Sequence, residues 1–128
     1  SCSGLAILLR NTGSFKEAEE LYREALKIRR ELAEKNPDAY LPDLAISCNN
    51  LAYLLSDIGS FKEAEELYRE SLKIRRNLAE ENPKVYLPKL QLVCDNLTAL
   101  LEKTGRREEA DSLRREVAEF YQKQLAQQ

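Results

Sequence analysis

Apolar residues recur at helical spacing from Phe15 onward. Phe15, Ala18, Leu21, Tyr22, Ala25, Leu26, Ile28 and Leu32 follow i, i+3, i+4 steps and predict one amphipathic helix running to about Lys35. The remaining face carries charge, with Glu19 and Arg23, Glu31 and Lys35, and Glu65 and Arg69 as i, i+4 pairs. Ser14 with Glu17, and Ser60 with Glu63, match a capping box at a helix start. Asn36-Pro37 and Asn82-Pro83 predict helix ends, because proline lacks the backbone donor and restricts the residue before it. Tyr40-Leu41-Pro42 and Tyr86-Leu87-Pro88 then lead into the next helices, which are expected to begin at the second proline. Helices of about 22 residues would alternate with helices of about 16, and no strand is required.

The pattern is written more than once. The twelve residues from Gly13 to Glu24 recur letter for letter from Gly59 to Glu70, 46 positions on, and the same step reaches a degraded third copy starting at Gly105. Self-similarity at a fixed period predicts stacked units, each covering its neighbour's apolar face. Cys2, Cys48 and Cys94 fall in the same register, so they are one structural position seen three times. Equivalent positions on neighbouring packed elements lie roughly 10 Å apart, too far for a disulfide, which needs Cα atoms within about 7 Å. With no histidine in the chain and no close-spaced cysteine pair, a metal site is not expected, and the cysteines read as small buried residues.

The third copy departs from the other two: Arg107 replaces Phe15 and Phe61, Arg114 replaces Tyr22 and Tyr68, and Phe120 replaces Ile28 and Ile74. Burying an unpaired arginine is costly, so Arg107 and Arg114 are expected to face water where the array stops. At the other end, Cys2 to Asn11 reads as the latter part of a helix cut from something longer. Leu5, Ile7, Leu8 and Leu9 there form an apolar edge that predicts weak self-association as a two-fold dimer.

The placement of Cys48, Leu51, Ala52, Leu55, Gly59, Phe61, Ala64, Tyr68 and Ser71, and of their counterparts from Cys2 to Ala25, resembles the tetratricopeptide repeat. The usual repeat has 34 residues. The longer period and the Cys48-Asn49-Asn50-Leu51-Ala52 string are most similar to kinesin light chain repeats and their prokaryotic relatives. The resemblance implies an all-α fold, an α-solenoid of three stacked antiparallel helix hairpins forming a single domain over residues 1–128. Repeat 1 would span about 1–36, repeat 2 about 37–82 and repeat 3 about 83–128.

In such a fold the first helix of each pair lines a concave surface. Leu44, Cys48, Leu51, Ala52 and Leu55 read as its packing face, which leaves a second helical stripe of Ile46, Asn49, Asn50, Tyr53 and Asp57. The matching positions one repeat later are Leu92, Asp95, Asn96, Ala99 and Lys103; one repeat earlier they are Ser3, Gly4, Ile7 and Asn11. Asparagine both donates to and accepts from a peptide backbone, which suits an extended segment. The alternative is that Asn49 and Asn50 are only solvated or bond neighbouring helices. The basic floor needed to clamp a terminal carboxylate is missing: Ser3, Ile7, Leu92 and Asn96 stand where the family places it, and only Asn50 matches.

Charge narrows the partner. Twenty basic residues against 22 acidic give a net charge of −2, so nothing drives nonspecific attachment to nucleic acid or anionic lipid. The clusters Lys27-Ile28-Arg29-Arg30 and Lys73-Ile74-Arg75-Arg76 alternate with glutamate and read as a solvated convex face. The apolar runs are too short to cross a bilayer and no leader pattern is visible, so the expectation is a soluble cytoplasmic protein. The sequon Asn96-Leu97-Thr98 lies within a helix and reads as chance. With no histidine, no phosphate-cradling loop and no nucleophile elbow, neither an enzyme nor a cofactor is expected. The expected function is protein or peptide binding in the concave groove, with self-assembly through repeat edges as the alternative.

Overall fold

A computed structural model describes residues 14–127 as five α-helices: α1 Phe15–Lys35, α2 Pro37–Asp57, α3 Phe61–Glu81, α4 Pro83–Lys103 and α5 Arg107–Ala126. Each helix packs on the next in chain order, and α2 also touches α4. The result is an all-helical solenoid built from antiparallel hairpins.

Two kinds of joint alternate along it. A single asparagine, Asn36 or Asn82, separates α1 from α2 and α3 from α4, ending one helix and capping the next. The Asn36 backbone N–H donates to the Leu32 carbonyl at 2.9 Å, while its side chain accepts from the Ala39 N–H at 3.4 Å. The other joint needs glycine. Gly59 and Gly105 sit at φ +88° and +80°, a conformation that costs a side-chain-bearing residue energy. At the first of these, Ser60 N–H reaches the Leu55 carbonyl at 2.8 Å and Gly59 N–H reaches Ser56 at 3.3 Å, which closes the α2 C-terminus in a Schellman motif.

Three expectations about these joints are corrected. The helix expected to begin at Pro42 begins at Pro37, so α2 and α4 are 21 residues long, like α1 and α3, and Pro42 and Pro88 lie inside them. Proline removes one bond to the carbonyl four residues back, and here that carbonyl belongs to a first turn whose residues, Asp38 and Ala39, are solvent-exposed. The capping boxes do not form: Ser14 and Ser60 occupy the caps, but their side chains make no capping bond. Glu63 is drawn instead into a two-pronged pair with Arg23 at 2.8 and 2.9 Å. That guanidinium holds the Glu63 carboxyl below the usual carboxylate range.

The core repeats in register. Leu44, Cys48, Leu51, Ala52 and Leu55 of α2 are buried, and so are their α4 counterparts Leu90, Cys94, Leu97, Thr98 and Leu101. Ala18, Ala64 and Ala110 are each fully buried, where a methyl side chain lets neighbouring helices approach closely. Ser71 is buried too, and its hydroxyl donates to the Ala45 carbonyl at 2.9 Å. The apolar stripe is not uniformly covered, since Phe15 and Ile28 on α1 remain 38% and 46% exposed.

The basic clusters are a solvated face only in part: Lys27, Arg30, Lys73 and Arg76 are exposed, whereas Arg29 and Arg75 turn inward. Arg75 is 5% exposed and donates to the Lys89 carbonyl at 3.1 Å. Arg29, at the same register position, reaches the Asp43 carbonyl at 3.3 Å and the Ser47 hydroxyl at 2.8 Å. Each arginine ties the second helix of one pair to the first helix of the next. Arg30 behaves differently, crossing from α1 to α3 in a two-pronged pair with Glu70 at 2.7 and 2.9 Å.

Arg107 and Arg114 on α5 face water, and Arg114 is bonded to Glu102 and Asp111. Phe120 is buried, with the Arg76 guanidinium 4.7 Å over its ring. Cys2 and the apolar edge of Leu5, Ile7, Leu8 and Leu9 lie outside the described residues.

Leu51 and Leu97 are both 0% exposed, so replacing either by alanine should destabilise the fold by about 2–5 kcal/mol in chemical denaturation. Burial also pushes the Cys48 and Cys94 thiols up to about 12 and about 11 from an ordinary 9.0. The folded chain therefore keeps protons that the unfolded chain releases above pH 9. The thiols' contribution is intact below about pH 9 and is lost as pH rises towards 12. Denaturation at pH 8 and pH 10.5 should show this loss, and it should shrink in a Cys48→Ala, Cys94→Ala variant.

Candidate functional site

The stripes that α2 and α4 leave uncovered by the core form the candidate floor. Along α2, Ile46 and Asn50 are half-buried, Asn49 is 9% exposed, and Tyr53 and Asp57 are exposed. Along α4, Leu92, Asp95, Ala99 and Lys103 are exposed and Asn96 is half-buried. Asn96 Nδ2 donates to Asn49 Oδ1 at 3.1 Å and so joins the two helices. This asparagine pair does structural work across the floor and leaves Asn96 with an amide oxygen and a second N–H. Asp95 accepts from Gln91 Nε2 at 2.9 Å, which holds it along its own helix.

At the C-terminal ends of the two helices the floor deepens into a depression of about 190 Å³. Its walls are Tyr53, Ser56 and Asp57 from α2, Asn96, Ala99, Leu100 and Lys103 from α4, and Tyr68 from α3. Five expected groove residues, Tyr53, Asp57, Asn96, Ala99 and Lys103, therefore meet in one hollow. Ile46, Asn49, Asn50 and Asp95 lie outside it, further along the floor. Ser56, Leu100 and Tyr68 are additions. Ser56 follows Tyr53 by three positions and was within reach of a helical-face argument, whereas Tyr68 is a core residue, 2% exposed, that arrives from a third helix.

The electrostatics of the hollow are divided. The Lys103 ammonium lies 5.2 Å from the centre of the Phe61 ring and sits in the last turn of α4, where a cation opposes the helix dipole. Asp57 ends α2, whose last turn contains no basic residue.

Nothing on this floor carries obvious bond-making chemistry. Among the described residues no group of histidine, cysteine, aspartate or glutamate is placed to hold a metal. The two described cysteines are buried thiols whose pKa values have moved away from thiolate formation. No described helix is long and apolar enough to cross a membrane. Larger depressions exist, one of about 590 Å³ between α3 and α5 and one of about 620 Å³ beside the first turn of α2. Neither adjoins the asparagine pair.

Asn96→Ala should cost about 1–3 kcal/mol in thermal or chemical unfolding, because it leaves the buried Asn49 oxygen without its donor. Asn50→Ala, removing an amide with no hydrogen-bond partner among the described residues, should stay within about 0.5 kcal/mol. A double-mutant cycle on Asn49 and Asn96 should return a coupling of about 1 kcal/mol, and a coupling near zero would remove the structural role of the pair.

No curated protein matches this sequence. A family model described as tetratricopeptide repeat matches residues 3–77, more than half of the chain and including all of α1 and α2 and most of α3. Repeats of this kind generally mediate contacts between proteins. The helical pairs, their glycine-closed turns and the family match agree, and the chain belongs to the tetratricopeptide repeat family.

Proposed function

We propose that the chain is a protein-interaction module that holds an extended segment of a partner polypeptide along the floor formed by α2 and α4. The three repeat units read from the sequence, about 1–36, 37–82 and 83–128, would act as one domain presenting that floor. The observation that carries this reading is the combination of side chains on the floor. Asn50 is half-buried without a side-chain partner among the described residues, Asn96 keeps bonding capacity beyond its bridge, and Leu92 is 51% exposed.

These groups suit a main chain. An amide that donates and accepts can pair with a peptide unit of any sequence, while an exposed aliphatic side chain gives one partner residue an apolar seat. The hollow at the end of the floor is too small for a drug-sized molecule and of a size for one side chain. Ile46 and Asp95 extend the surface along the same two helices. The edge reading, with Leu5, Ile7, Leu8 and Leu9 joining two copies, has no comparable observation among the described residues.

A display library of random nine-residue peptides, selected on the folded chain, tests the reading. Recovered peptides should bind Asn50→Ala about five- to tenfold more weakly, which corresponds to the loss of roughly one hydrogen bond. Leu92→Ser should weaken them further. Failure to recover any peptide, or recovery of peptides indifferent to both substitutions, would place the interaction surface elsewhere.

A further inference from the structure

We infer that the hollow at the end of the floor receives an arginine side chain of the partner segment, held between the Tyr53 ring and the Asp57 carboxylate. This rests on the groove reading above and adds a chemical requirement to it. Tyr53 and Asp57 are four residues apart on α2, so they share one face of the helix. Both line the hollow, and both are exposed to an incoming group.

The sign of the site follows from where the helix stops. Asp57 is the last residue of α2, at the end where backbone carbonyls already concentrate partial negative charge, and no base in that turn offsets it. A carboxylate there is unfavourable for the free protein and favourable for a bound cation. The equivalent residue of α4 is Lys103, which has the sign a helix C-terminus prefers. Asp57 also has no ion pair among the described residues, whereas Glu63 and Glu70 have one each and Glu65 and Glu109 have two.

Lys103 lines the same hollow and is the charge that opposes a cation there. Its ammonium is engaged by the Phe61 ring at 5.2 Å and by the end of its own helix. Arginine fits better than lysine for two reasons. Its planar guanidinium can stack on an aromatic ring while presenting paired N–H donors to a carboxylate, and the Ser56 hydroxyl offers a further acceptor in the same wall. A volume of about 190 Å³ admits one such side chain and little else.

The nine-residue display library serves here too, with a different readout. Recovered peptides should be enriched in arginine at one position, and replacing that arginine by glutamine should weaken binding about tenfold on the native chain. Against Asp57→Asn the two peptides should bind within about twofold of each other. Asp57→Asn should unfold at the same temperature as the native chain or higher, since it removes a charge of unfavourable sign. Tyr53→Leu should also reduce the arginine preference. Peptides that bind the floor and are weakened by Asn50→Ala, but show no arginine preference or keep it in Asp57→Asn, would overturn the arginine site and leave the groove standing. An acidic preference lost in Lys103→Gln would overturn it as well. No recovery of floor-binding peptides would overturn both.

Discussion

A helical hairpin of this kind cannot bury its own apolar stripe, and everything else in the fold follows from that. Ala18, Ala64 and Ala110 are buried completely because each stands where a helix must come close to its neighbour. Leu51 and Leu97 are buried by the elements packed beside them in sequence order. Contacts of this sort are short-range in the chain, so stability accumulates pair by pair, in the manner of a one-dimensional array. Where the stack reaches α5, the position held by buried Tyr68 in α3 is held by Arg114, exposed and bonded to Glu102 and Asp111. A charged side chain is stable at that point because it is exposed to water and held by two carboxylates.

The architecture was legible in the sequence because it is periodic. A step of 46 residues joins Gly59 to Gly105 and Cys48 to Cys94, and the structure gives each pair one environment: positive φ for the glycines, burial for the thiols. What was not legible depends on contacts between residues far apart in the chain. Arg29 and Arg75 look like surface charge when read by helical spacing, and their partners are main-chain carbonyls, which leave no mark in a sequence. Glu63 looks like half of a capping box until Arg23, 40 residues away, competes for it with two charge-assisted bonds. Pro42 looks like a helix start because a proline inside a helix is costly, yet Pro37 supplies an equally good start one turn earlier.

The buried arginines show how the hairpins are held in angle as well as in contact. Arg75 is desolvated enough to lower its pKa, and it is paired with a carbonyl dipole rather than a carboxylate. Such a placement adds little net stability, since the cost of removing the charge from water offsets much of the bond. Its effect is directional. An apolar side chain could fill the same space at several rotations of α3 against α4, but a guanidinium aimed at the Lys89 carbonyl is satisfied at one. The same geometry at Arg29, with the Ser47 hydroxyl added, fixes α1 against α2.

That rigidity bears on the floor. Of its expected residues, the sequence could identify which side chains face away from the core, because that is a question of helical phase. It could not rank them, because their roles depend on how far apart α2 and α4 stand. At the spacing set by the packed core, Asn96 reaches Asn49 and the two form a bridge, while Asn50, one residue along, has no side-chain partner among the described residues. Nearer the helix ends, the same spacing leaves a gap that Tyr68 floors from below and Asp57 and Lys103 border without an ion pair between them. A floor in which some polar groups are bonded to each other and adjacent ones are held apart is pre-organised: the bonded groups set the geometry, and the separated ones keep their bonding capacity for another chain.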